Sequence, residues 1–245
     1  LCDGFHGVAS ASATGADRHV FAPCDELMRS LLSHIVGSDR ESAFEFAEVI
    51  RAEIFSAERL EQHAASLAVA QTVTTRPVAV RPLTARLRNN HRALLDAHRA
   101  IAKSIAAGGA ITPAAEWLVD NYHVVEAQIR QVRDDLPPGY YRQLPKLADG
   151  PLAGYPRVLG LAWAFVAHTD SRFDASLLCQ FVAAYQRIQP LTIGELWAIA
   201  ITLRVVLIEN LRRAAELIAS RRALRQQADH VADRLVGAGG REPQT

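Results

Sequence analysis

Three groups of side chains in this 245-residue chain stand close enough in sequence to share a chemical task. Arg130, Arg133, Asp134, Asp135, Tyr140, Tyr141, Arg142 and Lys146 fall at a helix end and in the loop behind it. Aromatic rings stack on pyranose faces and guanidinium groups fork to anions, so this group could grip a sugar or a phosphate. A purely structural account also fits, with arginines near the carboxyl end of a helix and tyrosines pinning a loop. His168, Asp170, Arg172 and Asp174 set two carboxylates four residues apart near an imidazole, which could do acid–base work. Capping of a helix that begins near Asp174 explains Ser171 and Asp174 more simply. The third group is Glu209-Asn210, polar between Ile208 and Leu211 in an apolar run, so each needs a partner. Arg212 and Arg213 match Glu209 at i+3 and i+4, while Arg204 is only an approximate match. An interhelical salt bridge at a packing or docking surface is the reading, without catalysis.

Other chemistry is missing from the sequence. There is no GxGxxG, Walker lysine loop, HExxH or GxSxG. His91 and His98, seven apart near Asp96, are too far apart to share a metal unaided. No Asp-x-Asp and no Gln-x-x-Arg-Trp occurs, the motifs with which a metal-using glycosyltransferase holds a nucleotide diphosphate. Cys2, Cys24 and Cys179 form no CxxC pair and suggest neither a disulfide framework nor a zinc site. They read as buried, reduced thiols of a cytosolic protein. With 27 basic and 26 acidic residues, the net charge of +1 removes the electrostatic argument for nucleic-acid binding. Hydrophobic residues make up 49% and charged residues 22%, enough apolar content for a sizeable core. No window of 18 consecutive apolar residues predicts a membrane span. Residues 1–22 lack the basic and then apolar regions of a signal peptide, and a start at Leu1 rather than Met suggests a piece of something longer. Of the basic residues only Lys103 and Lys146 are lysine, a bias that GC-rich coding explains. Residues 1–75 carry 5 basic and 11 acidic side chains (−6), and the remainder 22 and 15 (+7). Such asymmetry suits docking of an acidic helical region on a basic surface, or simply solvated helix faces.

The elements that must position these residues are helical throughout. Residues 24–36 read as a short amphipathic helix ended by Gly37. A capping box at Ser38–Glu41 then starts a helix expected to run to about Ala70, with Phe46, Ile50, Ile54 and Leu60 on its apolar face. Pro77 and Pro82 mark residues 72–82 as a connector. A helix over 83–107 stops at Gly108-Gly109. Thr112-Pro113 caps the next, whose stripe Leu118, Tyr122, Val125, Ile129 and Val132 has 4-3-4-3 spacing. Prolines, glycines and three tyrosines make residues 140–157 an ordered loop with short helical turns. Helices follow over 159–169 and about 174–188. A second box, Thr192 to Glu195, opens a run helical to about Val236, on the order of 65 Å long, with a break allowed near Ser220. The fold class is therefore all-α: a multi-helix bundle with one long C-terminal helix and a Pro/Tyr-rich ordered loop. Its expected divisions are an unassigned segment 1–22, acidic helices 23–75, a connector 76–82, a helical core 83–236 and a frayed tail 237–245.

Three stretches resemble one family. They are RAEIFSAERLEQHA (residues 51–64), ITPAAEWLVDNYHVVEAQIRQVRDDLPPGYYRQLPKLADGPLAGYPRVLGLAWAFVAHTDSRFD (111–174) and FVAAYQRIQPLTIGELWAIAITLRVVLIENLRRAA (181–215). They are similar to the N-terminal region of cyclic β-1,2-glucan synthases, over about residues 45–218. The resemblance implies a large bacterial inner-membrane enzyme that polymerises glucose from UDP-glucose on the protein itself, using a divalent metal, and then cyclises the chain with a phosphorylase-like part. In that family the spans and metal-binding carboxylates come after the region matched here. No catalytic, cofactor-binding or metal-binding residue carries over.

The resemblance thus implies a helical, non-catalytic portion that lies on the cytoplasmic side. Its partners are the downstream transferase, membrane and phosphorylase-like parts of the same protein. The expected docking or sugar-contact surface is Arg130, Arg133, Asp134, Asp135, Tyr140, Tyr141, Arg142, Lys146, Trp197, Glu209, Asn210 and Arg213. Residues 196–208 and the loop 140–157 are its main parts. Two other readings stay open: a free-standing helical adaptor that binds a protein partner through its 4-3-4-3 seams, and a small hydrolase using Asp170 or Asp174.

Overall fold

The structure, a computed structural model, describes residues 49–108 and 111–239. Within them are eight α-helices and one two-residue antiparallel pair. The helices are α1 (Ala57–Ala70), α2 (Leu83–Ala106), α3 (Pro113–Asp120), α4 (Tyr122–Asp135), α5 (Pro138–Gln143), α6 (Arg157–His168), α7 (Ala175–Gln186) and α8 (Ile193–Gly239). The strands β1 (Val73–Thr74) and β2 (Lys146–Leu147) pair Val73 with Leu147 and Thr74 with Lys146. The all-α reading holds. The short ladder is an addition to it that two residues of alternation could not signal.

Side-chain caps fix four of the eight helix starts. Thr112 Oγ1 accepts from the Ala115 N–H at 3.3 Å, with Pro113 in the first turn. Asp174 accepts from the N–H groups of Ser176 and Leu177 at 2.8 and 3.1 Å. In the box at α8, Thr192 Oγ1 accepts from the Glu195 N–H at 3.2 Å and Glu195 Oε2 accepts from the Thr192 N–H at 2.9 Å. Helix α2 ends at Ala106, and Gly108 takes φ +75°, a left-handed conformation in which a side chain would be strained.

Helix α8 is the spine. Helices α2 and α6 pack along it, α3 and α4 lie against it as well, and α1 packs on α7 and α6. The buried faces read as the spacing predicts: Leu87, Leu94 and Ile101 on α2, and Leu118, Tyr122, Val125, Ile129 and Val132 across α3 and α4. Between α6 and α7, the rings of Phe165 and Phe181 pack 5.7 Å apart.

Three expectations are corrected. The single helix expected from Ser38 to Ala70 does not exist as such, because residues 51–56 are not helical and Ser56 caps α1, accepting from the Arg59 N–H. The N–H groups of Ala52 and Phe55 go instead to the carbonyls of Ala167 and His168, orphaned at the end of α6. Ile50 is buried there while Ile54 faces solvent. The helix expected after Thr112 is two, broken at Asn121, whose side-chain amide donates to the Trp117 carbonyl at 2.9 Å. The apolar stripe passes through the break intact. Helix α8 has no break near Ser220, whose hydroxyl donates to the Glu216 carbonyl, and it continues to Gly239. The helix expected at 24–36, the box at Ser38–Glu41 and residues 240–245 lie outside the described residues.

Candidate docking surface

Glu209, Asn210 and Arg213 are all buried, and none lines an open site. Glu209 is engaged from α2 by Arg86, whose Nε donates at 2.6 Å, and from its own helix by Arg213 Nη2 at 2.7 Å. Burial alone would push the Glu209 carboxyl up, but Arg86, Arg213 and Arg212 outweigh it and hold it below the usual range. The interhelical bridge thus runs to Arg86. Arg204, the approximate match, instead reaches Asp135 at 3.5 Å. Asn210 is a clamp for the incoming chain: its Oδ1 accepts from the Ile50 N–H at 2.6 Å, and its Nδ2 donates to the Ile50 carbonyl and to Ser171 Oγ.

A second buried ion pair joins Arg157, at the start of α6, to Glu195 of the α8 cap. Nε and Nη2 of Arg157 donate to the two carboxylate oxygens at 2.8 and 2.7 Å. Arg157 also donates to Gln189 Oε1 and the Pro190 carbonyl, tying α6 to the α7–α8 turn. Sequence reasoning found Glu195 only as a cap and missed Arg157 and Arg86. The available signal was an arginine opening the apolar helix Val158–Val166, which burial would force to find an acid.

The cluster around the end of α4 separates into two sets. Arg130, Arg133, Asp134, Asp135 and Arg142 are exposed, with Arg130 only 4.0 Å from Glu126 of its own helix. Tyr140, Tyr141 and Lys146 turn inward. The Tyr140 hydroxyl donates to the Gly194 carbonyl, and Lys146 Nζ donates to the Tyr141 carbonyl while lying 3.9 Å from the Tyr141 ring centroid. Burial lowers the Lys146 pKa to about 8 and pushes the Tyr141 hydroxyl up to about 12.

The carboxylates offered for acid–base work have separate occupations. Asp170 pairs with Arg51 at 2.8 Å, Asp174 caps α7, and His168 Nδ1 lies 2.8 Å from the Glu53 carbonyl. His98 stacks on Tyr122 at 4.3 Å, and His91 is 3.9 Å from Glu126. Among the described residues no group of three or more His, Cys, Asp or Glu could hold a metal ion. Among them, too, no helix is long and apolar enough to cross a membrane.

Among the described residues a groove of about 510 Å³ opens between α7 and α8. Leu178 and Val182 form one wall, Leu196, Ile199 and Leu203 the other, with Phe173 at one end and the free thiol of Cys179 on its edge, exposed rather than buried as expected. Trp197, 76% exposed, and Ile193 stand beside Leu196 one helical turn apart. Part of residues 196–208 faces this groove, while Ala198, Val205, Val206 and Ile208 belong to the core. Phe173 was not among the expected residues, because only the α7–α8 hairpin brings it opposite α8.

No protein-family model matches the chain. It is 40% identical over 210 residues to the cyclic beta-(1,2)-glucan synthase NdvB of Rhizobium meliloti (strain 1021), which is 86% of this chain but 7% of that protein. Over that length the chain is related in sequence to one segment of a cyclic β-(1,2)-glucan synthase.

Proposed function

We propose that these helices form a non-catalytic docking portion of a cyclic β-(1,2)-glucan synthase, seated against other parts of the same polypeptide through the α7–α8 groove. The whole synthase would transfer glucose from UDP-glucose, with a divalent metal, to a protein-linked β-1,2-glucan that is then cyclised. Those steps would belong to its transferase and phosphorylase-like parts, and its membrane spans would lie elsewhere in the polypeptide, with this portion on the cytoplasmic side. The observation that carries the reading is the open apolar groove flanked by Trp197. An exposed tryptophan beside a helix-sized groove is the composition of an interface centre. The buried carboxylates Glu195 and Glu209, by contrast, are each committed to arginines and free for no reaction.

Trp197→Asp in the whole synthase should lower cyclic glucan yield by about tenfold, the usual scale for losing an aromatic anchor. UDP-glucose binding should persist. Tyr141→Ala, which loosens the loop against Lys146, should lower yield less. Product yield unchanged in both variants overturns the docking role.

A further inference from the structure

The far half of α8 carries a second surface, independent of the groove. Every residue from 223 to 234 is exposed, and the helix continues to Gly239. At 1.5 Å per residue this is on the order of 25 Å of helix, a length that is marginal in water without a neighbour. One stripe along it and the turns before it is nevertheless in register, apolar except at Arg221. Ala214, Leu217, Arg221, Leu224, Ala228 and Val231 follow 3-4-3-4-3 spacing, the a/d seam of a heptad repeat. Leu217, Leu224 and Val231 are 40, 47 and 52% exposed. Ala215, buried in the core, lies more than about 100° around the helix from the middle of this seam, while Ile218, one heptad before Arg225 on the seam's edge, is partly buried against the core.

The charges beside the seam are one-sided. Arg221 sits within it and Arg225 and Arg234 flank it, while Asp229 and Asp233 lie on the opposite face. We infer that this face of α8 is a docking seam for an amphipathic helix whose apolar stripe is flanked by acidic residues. A second copy of the chain is a poor occupant, since in either orientation its flanks are cationic too, and a parallel copy sets Arg221 against Arg221. A lipid surface fits less well, because the stripe is narrow, holds two alanines and lacks the aromatic residues of interfacial helices.

The test uses the 245-residue chain and a labelled synthetic peptide of about four heptads, with leucine at a and d and glutamate at e and g. Repulsion between its glutamates keeps the peptide from pairing with itself at neutral pH. Saturable binding that weakens with salt is expected, falling about tenfold or more in Leu224→Ser/Val231→Ser and in Arg221→Glu/Arg225→Glu. Because these side chains are exposed, the variants should keep the unfolding midpoint of the parent chain. Absence of saturable binding, or binding equal in parent and variants, overturns the inference. So does a dimer of the chain alone that Leu224→Ser/Val231→Ser dissolves, which makes a second copy the occupant. Preferential binding to vesicles of equal phosphatidylcholine and phosphatidylserine, lost in the same variant, also overturns it.

Discussion

Replacing Glu195 with alanine should cost the fold about 3–5 kcal/mol, the range for removing one partner of a buried ion pair. The Arg157 guanidinium would stay in the interior with Gln189 Oε1, the Pro190 carbonyl and the Tyr185 hydroxyl as its neighbours but no carboxylate. The Thr192 N–H, which now donates to Glu195 Oε2, would lose its partner, and the first turn of α8 would lose its reciprocal cap. Domains of this size are stable by only about 5–15 kcal/mol, so a large part of the total would go. Urea unfolding reads the change as a lower midpoint at an unchanged slope. The double variant Arg157→Met/Glu195→Met should recover most of the loss, because packed apolar side chains replace such a pair at little net cost. A loss below about 1 kcal/mol in Glu195→Ala would show that the pair is open to water and that α6 does not depend on it.

Lys146→Met should act in the opposite direction. Lys146 is 8% exposed and has a carbonyl and an aromatic face as its neighbours rather than a carboxylate. Burial brings its pKa from 10.5 down to about 8, so the folded state disfavours its charge. A base whose pKa is depressed by folding is harmless above its unfolded pKa. It costs stability as pH falls, in full below the folded value. At pH 7 the cost corresponds to roughly 3 kcal/mol, less whatever the Tyr141 ring returns. Lys146→Met should therefore raise stability by about 1–3 kcal/mol at pH 7. The advantage should shrink as pH rises from about 8 to 9.5, below the range where the tyrosines titrate. A gain that does not change with pH would show that the methionine packs better but that the lysine charge carried no cost.

What could be read from the sequence was local. Thr112-Pro113, Asp174 and the Thr192–Glu195 box announce their helices because a cap and its N–H partners lie within three residues of each other. The stripe from Leu118 to Val132 was legible because its period survives even the break at Asn121. What escaped depends on distant partners. Residues 51–56 are held extended by carbonyls more than a hundred residues away, and no local signal competes with the helical pattern of Phe46, Ile50 and Ile54. Arg86 and Glu209 are 123 residues apart, so the acid was conspicuous in its apolar helix while its partner looked like any surface arginine. The groove was half visible: Trp197 and Leu196 stood out in sequence, but Phe173 joins them only through the fold.

Cys179, exposed at the edge of the α7–α8 groove, offers the most direct measurement of whether that groove is covered in a whole synthase. Its rate of modification by a maleimide, followed by peptide mapping, would be compared between the 245-residue chain and the full-length synthase that contains it. Rapid modification is expected in the chain alone and a rate at least about tenfold lower in the synthase, restored in part by Trp197→Asp. Equal rates in the two would mean that nothing sits in the groove and would contradict the docking role.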